Sequence, residues 1–220
     1  MTGRRSWDDL FADARFHWTE PDPAVVAAAG RWWERGVRLI HDLGCGAGRH
    51  MAFLQASRFE VIGSDVAQRG LEACASQLRE AGLRAALVRA DMSAHPFADA
   101  AFDAAIAINV LNHGTRADVQ RAIDEVHRTL RPGGEVLLTA LNTWDWRYGS
   151  GAQVEAASFV LADGPEAGIL HHFFDEADLR AWLAGFEIID LQRVRGELTL
   201  STAPDGGPVF RDAWQVLARR

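Results

Sequence analysis

From residue 36 onward, short apolar runs alternate with stretches of helical period, and this alternation dominates the organisation of the chain. The runs fall at residues 37–43, 60–65, 85–89, 102–108 and 135–140. Helical patterns lie between them at 47–57, 66–81 and 116–130, and in the third Val119, Ala122, Ile123, Val126 and Leu130 line one face. Thr115 and Asp118 have capping-box spacing at its start, and Pro132-Gly133-Gly134 is expected to stop it. Strands alternating with helices predict a parallel sheet covered on both faces.

The flanks read differently. Trp7, Leu10, Phe11 and Ala14 have the spacing of a short amphipathic helix, and a second helix is expected over 24–35, beyond Pro21 and Pro23. Downstream, a helix is expected over 176–184, with Asp175 as N-cap, Phe174 and Leu179 at staple positions and Gly185 ending it in left-handed geometry. Segments 187–194 and 209–218 have strand character around the turn-rich Pro204-Asp205-Gly206-Gly207-Pro208, which predicts an antiparallel pair on the sheet edge. Residues 143–170 carry no clear period, and a long insertion of this kind is often functional.

Composition narrows the class. The 220 residues suit one α/β domain with appendages, at 48% hydrophobic and 24% charged. Cys45 and Cys74 are too few for a disulfide framework, which points to a reducing compartment. No apolar run reaches the length of a membrane span, and the basic start at Arg4-Arg5 has no apolar stretch behind it. A cytoplasmic protein without a membrane partner is expected. All 23 basic residues are arginine, spread along the chain, and the net charge of −7 argues against a nucleic-acid partner. No group of His, Cys and Asp has metal-ligand spacing, so no metal is expected.

The chemistry concentrates after the first strand, in Asp42-Leu43-Gly44-Cys45-Gly46-Ala47-Gly48. Glycines let the backbone turn sharply and approach a ligand closely, and the helix behind them offers free N–H groups. The spacing G-x-G-x-G differs from the dinucleotide pattern G-x-G-x-x-G, because position 49 is Arg; this disfavours a nicotinamide oxidoreductase. With Asp42 two residues ahead, the segment resembles motif I of the class I S-adenosylmethionine-dependent methyltransferases. Other segments fit the same resemblance. Asp65 ends the second strand, followed by Val66, where the family holds the ribose. Asp91 and Met92 follow the third strand, where it reads adenine. Asn109 follows the fourth, where it meets the methionine part. The resemblance covers roughly residues 36–142. Tyr148-Gly149, Glu155, Phe159 and His171-His172-Phe173-Phe174 are similar to a bacterial subgroup of small-molecule methyltransferases, loosely akin to tellurite-resistance and thiopurine enzymes.

The resemblance implies an α/β, Rossmann-like, doubly wound and mostly parallel seven-stranded sheet with an antiparallel C-terminal edge strand. Residues 1–35 form an N-terminal helical cap, and 36–220 the methyltransferase domain, with 143–170 contributing to the acceptor site. It also implies S-adenosylmethionine as cofactor, with S-adenosylhomocysteine as product, and binding residues Asp42, Gly44, Cys45, Gly46, Gly48, Asp65, Val66, Asp91, Met92 and Asn109. Methyl transfer is an in-line displacement in which alignment supplies most of the acceleration. The acceptor is expected to be a small molecule, handled by His113, His172 and Tyr148, with Glu155 orienting one of them; a general base is needed only for a protonated acceptor. Cys45 is expected to fit the loop for its size and not as a nucleophile. Trp7, Phe11, Trp18, Trp32 and Trp33 form either a water-excluding lid or packing for the N-terminal helices. The protein is expected to be a monomer or homodimer. Two rival functions keep the cofactor: group transfer or cyclisation other than methylation, and a binding partner without turnover.

Overall fold

The computed structural model describes residues 5–202 and 208–220. The first residues of the chain and the turn expected over 204–207 lie outside the described residues. Strands β1 (Leu39–Leu43), β2 (Glu60–Asp65), β3 (Leu87–Arg89), β4 (Phe102–Ala107) and β5 (Leu130–Leu141) alternate with α3 (Arg49–Ala56), α4 (Gln68–Glu80) and α5 (Arg116–Thr129). A seven-stranded sheet forms in the order β3-β2-β1-β4-β5-β10-β9, closed by β9 (Glu187–Thr202) and β10 (Pro208–Arg219). β1 to β5 run parallel, and β10 pairs antiparallel with both β5 and β9. The expected antiparallel pair thus occupies the edge, with the last strand inserted and β9 outermost.

The central strands are apolar throughout because both of their faces are covered. In β4, Ala104 and Ile106 join a layer with Trp32, Met51, Leu54, Leu71 and Leu78, while Ala105 and Ala107 join the opposite layer with Val119, Ile123 and Val126 of α5. Consecutive residues alternate between the two cores, as the two-residue period of a strand requires. The capping box of α5 forms as expected, with the Thr115 side chain accepting from the Asp118 backbone N–H and Asp118 accepting from that of Thr115.

Several boundaries differ from the sequence expectation. The first helix stops early: α1 covers Trp7–Leu10, and a separate 3-10 turn occupies Ala14–Phe16. Asp13 starts that turn by accepting from the Arg15 backbone N–H, which resets the chain direction. α5 ends at Thr129, before the Pro-Gly-Gly, because Leu130 is already extended at φ −72° and ψ 143° and opens β5. In α6 (Glu176–Trp182), Asp175 caps the N-terminus by accepting from the Asp178 N–H, as expected. Gly185 does not take left-handed geometry; the helix has already closed at Leu183. Residues 143–170, read as aperiodic, supply two strands of a second, three-stranded antiparallel sheet of β6 (Ala152–Glu155), β7 (Ser158–Val160) and β8 (Leu170–His172). These strands are short and broken by a bulge, so no two-residue pattern survives in the sequence.

The second helix, α2 (Pro23–Glu34), is fixed to the sheet by one buried carboxylate. Glu135, only 2% exposed on β5, accepts from Arg31 Nε and Nη2, Trp32 Nε1 and Arg219 Nη2 at 2.8–3.0 Å. Burial opposes its ionisation, but Arg31 and Arg219 outweigh that and hold its pKa down to about 2. A depressed carboxylate pKa stabilises the fold above the ordinary value of about 4.3, and that contribution fades as pH falls towards 2. Glu135→Gln is expected to cost about 2 kcal/mol at pH 7 and much less at pH 3, read by urea unfolding. An equal cost at both pH values would mean that the carboxylate charge is not what holds α2.

Candidate active site

In an open parallel sheet, ligands bind beyond the carboxyl ends of the strands, where the strand order reverses. A cavity opens at that place, at the ends of β1, β2, β3 and β4. Eight of the ten residues expected to bind cofactor line it: Gly44, Cys45, Gly46, Asp65, Val66, Asp91, Met92 and Asn109. Asp42 and Gly48 do not.

The glycine loop shows why. Gly46 has φ +51°, and a Cβ there would lie 2.9 Å from Phe11 Cζ on the cavity side. Gly48 has φ +93°, and a Cβ there would lie 2.4 Å from Cys74 Sγ in the core. One glycine therefore clears the cavity and the other clears the packing of α4 against the loop. Asp42 sits behind the loop, 1% exposed, with Oδ2 unpartnered among the described residues and Oδ1 4.0 Å from His50 Nδ1. Burial pushes its pKa up to about 8.

Asp65 combines the two roles that the sequence left open. Its Oδ1 accepts from the Ala67 N–H at 2.8 Å and so caps the approach to α4, while Oδ2 accepts from the Gly46 N–H at 2.9 Å. It lines the cavity as well. Burial raises its pKa, against those backbone hydrogen bonds. Asp91 also has a local role, accepting from the Ser93 N–H and Oγ, yet remains exposed on the cavity wall. Asn109 adopts φ +63° and donates its backbone N–H to Thr139 Oγ1 at 2.8 Å. Cys45 is buried, and contact with the Cys74 thiol together with that burial raises its pKa well above the usual value, which removes nucleophilic character.

Of the three residues expected to handle an acceptor, only His113 reaches the cavity. Burial lowers its pKa to about 3, so its ring is neutral at physiological pH. His172 is fully buried elsewhere, with Nδ1 2.8 Å from Ser158 Oγ and its ring stacked on Trp182. Glu155 does orient it, by accepting from Ser158 Oγ at 3.1 Å, but the arrangement locks the second sheet and faces neither cavity. Tyr148 is exposed and lies edge-on against Phe159 and Phe173. His172 departs from the sequence expectation because β8 places it in the packing of the second sheet, and Tyr148 because it lies exposed in the turn before β6.

The N-terminal aromatics divide. Trp7, Phe11 and Trp18 line the cavity, together with Phe16. Trp32 is a core residue bonded to Glu135, and Trp33 is exposed against Phe59.

A second cavity, of about 1610 Å³, adjoins the first and shares Phe16, Trp18, Arg49, Asn109 and Glu166 with it. Its outer wall includes Trp146, Leu161, Pro165 and Arg211. Sequence reading missed Arg49, Glu166, Trp146 and Arg211. Arg49 directly follows the glycine motif, where it reads only as breaking the dinucleotide pattern; Glu166 and Trp146 come from the aperiodic 143–170 segment, and Arg211 from β10, whose strand pattern singles out no site residue. Glu166 accepts from Arg147 Nη1 at 3.0 Å and lies 2.9 Å from His171 Nε2. Burial would raise its pKa, but His171 and the neighbouring charges bring it down to about 2, so it is ionised.

Sheet order, glycine loop and cavity position together define a class I methyltransferase fold. Residues 40–134 match the family described as a methyltransferase domain. The chain is 31% identical over 197 residues to a tRNA N(3)-methylcytidine methyltransferase of Drosophila melanogaster; the match covers 80% of this chain and 59% of that protein. Among solved structures, a methyltransferase from Methanosarcina mazei aligns with TM-score 0.72 and 24% identity, over 91% of this chain and 98% of its own. A 1,6-didemethyltoxoflavin N1-methyltransferase from Burkholderia thailandensis, bound to its substrate and S-adenosylhomocysteine, aligns with TM-score 0.64 and 20% identity, over 96% and 83%. No described helix is long and apolar enough to cross a membrane.

The two inner glycines predict different costs. Gly48→Ala is expected to lose about 2 kcal/mol, because the strained φ adds to a clash with buried Cys74. Gly46→Ala should lose about 1 kcal/mol, since only the tip of Phe11 must give way. Urea unfolding of both variants checks this. Equal losses would show that Phe11 is held as firmly as the core.

Proposed function

We propose that the chain transfers a methyl group from S-adenosylmethionine, held in the first cavity, to a small planar acceptor held in the second. The observation that carries this reading is the shared wall: Phe16, Trp18, Arg49, Asn109 and Glu166 belong to both cavities, so a sulfonium methyl in one faces an acceptor in the other. Asp65 accepts from the ribose hydroxyls, and Asp91 and Met92 hold the adenine. Gly44, Gly46 and Asn109 face the methionine part. Asp42 lies too deep to touch the donor and acts by supporting the loop from behind.

The N-terminal segment serves as a cap. Trp7, Phe11 and Trp18 cover the donor and exclude water, and the 143–170 insertion supplies Trp146, Leu161 and Pro165 to the acceptor wall. Trp18 and Trp146 favour a flat, apolar acceptor. S-adenosylmethionine bound in the first cavity would supply the methyl carbon for in-line displacement, its carbon–sulfur bond breaking as the bond to the acceptor lone pair forms and the acceptor's proton leaving to solvent. Positioning by these walls is the main catalytic contribution. His113, with its low pKa, takes part as a neutral hydrogen-bonding ring and not as a strong base.

A tRNA acceptor is the reading that the fly relative's name suggests. The second cavity sets Glu20, Asp22, Asp163 and Glu166 against Arg49, Arg147 and Arg211, so its lining is nearly balanced; it is the chain's net charge of −7 that disfavours a phosphate backbone. Release of S-adenosylhomocysteine, measured with planar hydroxyl- and amine-bearing compounds and with bulk tRNA, tests the choice. Turnover with a small compound and none with tRNA is expected; the reverse overturns the acceptor assignment. Asp65→Ala should weaken S-adenosylmethionine binding by about 1.5–3 kcal/mol in calorimetry. Unchanged affinity would remove Asp65 from the donor site.

A further inference from the structure

We propose that His113, Glu166 and His171 form a binding site for one divalent transition-metal ion of the zinc type, at the junction of the two cavities. The three residues come from three separate segments: the loop after β4, the insertion, and β8. One ring nitrogen from each histidine and one carboxylate oxygen lie within 4.8 Å of one another, the only such group among the described residues. An antiparallel bridge between the backbones of His113 and His171 holds the rings at fixed register, 4.8 Å apart and edge to face.

The hydrogen bonds of His171 decide which of its nitrogens is free. Nδ1 lies 3.2 Å from the Ile169 carbonyl, which only accepts, so Nδ1 carries the proton and donates. Nε2, 2.9 Å from Glu166 Oε2, is the nitrogen a metal ion would use, in place of a proton shared with that carboxylate. At that distance a proton or a metal ion must lie between the two atoms. An imidazole whose far nitrogen donates to a backbone carbonyl is the usual arrangement of a metal-binding histidine.

Arg147 does not fill that place. Its guanidinium is already neutralised by Asp145, through Nε to Oδ1 at 2.7 Å and Nη2 to Oδ2 at 3.0 Å, before Nη1 reaches Glu166. Arg147, Asp145 and Glu166 form one ion-pair network beside His171. His113 offers a second imidazole to the same point. Two imidazoles and one carboxylate are the donor set of catalytic zinc sites, which keep a further position open. Here the open side is toward the cavities, since His113 and Glu166 both lie on the wall of the first and Glu166 also on that of the second. A tetrahedral ion with donors about 2.1 Å away needs them roughly 3.4 Å apart, so uptake shifts the three donors toward that spacing. An acceptor oxygen, nitrogen or sulfur is the natural fourth ligand; this last step rests on the function proposed above, whereas metal uptake does not.

The test uses the full chain, dialysed against chelator and titrated with Zn2+, Co2+ or Mg2+ in the absence of S-adenosylmethionine. Expected are one Zn2+ per chain by calorimetry, visible absorption bands with Co2+, and no binding of Mg2+, which favours an all-oxygen site. Glu166→Gln and His113→Ala should each weaken Zn2+ binding at least tenfold while unfolding cooperatively in urea. Glu166→Gln keeps the side-chain shape, so the reading survives if a histidine variant fails to fold. Absence of the Co2+ bands, or Zn2+ affinity unchanged in both variants, overturns the proposal and leaves a protonated His171 paired with Glu166. S-adenosylmethionine binding, measured on the same chelated protein, reports separately on the donor site.

Discussion

The carboxylate of Asp65 joins three elements that would otherwise be positioned independently. It stands at the end of β2, accepts from Gly46 in the loop after β1, and accepts from Ala67 at the approach to α4. Each bond satisfies a backbone N–H that no helix or ladder bond serves, and together they hold a charged group in a place where burial disfavours it. The loop cannot relax toward solvent without leaving that charge uncompensated. The cavity floor is therefore rigid before any ligand enters, and this rigidity lets a short run of glycines serve as a binding surface.

Around this floor the chain assembles walls of different origin. The sheet ends supply Asp65, Asp91 and Asn109, whose positions follow from strand order. Trp7, Phe11 and Trp18 arrive from the N-terminus, and Phe11 rests on Gly46, one of the two loop glycines that line the cavity. The acceptor side comes from the insertion, where a second small sheet carries β8 back toward the loop after β4: His172 donates its N–H to the Asn112 carbonyl, and the His113 and His171 backbones pair. Conserving geometry at the donor side while varying the insertion is a physically inexpensive way for such a fold to change its acceptor, because the insertion adds nothing to the parallel core.

Legibility followed the range of the forces involved. The parallel strands, α2 and the capping box of α5 were visible because strand period, helix period and caps are local. The glycine loop and the acids behind β2 and β3 were visible because each sits at a fixed offset from a strand end. Gly48 looked like a binding residue from its spacing, and only the position of Cys74 shows that it clears a core contact. The tryptophans could not be sorted by sequence: Trp32 and Trp33 are neighbours, yet one is bonded to Glu135 in the core and the other is exposed, because helical rotation separates them by about 100°.

The histidines carry the most instructive difference. His171 and His172 are adjacent on one strand, so their side chains must point to opposite faces. The alternation sends His172 into the packing with Ser158 and Trp182, and His171 toward Glu166 and His113. A dipeptide of two histidines signals reactivity in sequence, but the strand turns only His171 toward His113 and Glu166. Which one is set by the pairing of β7 with β8, where Ser158 lies opposite His172. A shift of that register by one residue would exchange their fates, bury a different imidazole against Trp182 and disperse the donor cluster. The chemistry available at the junction of the cavities thus depends on a three-residue strand pairing that no periodicity in the chain announces.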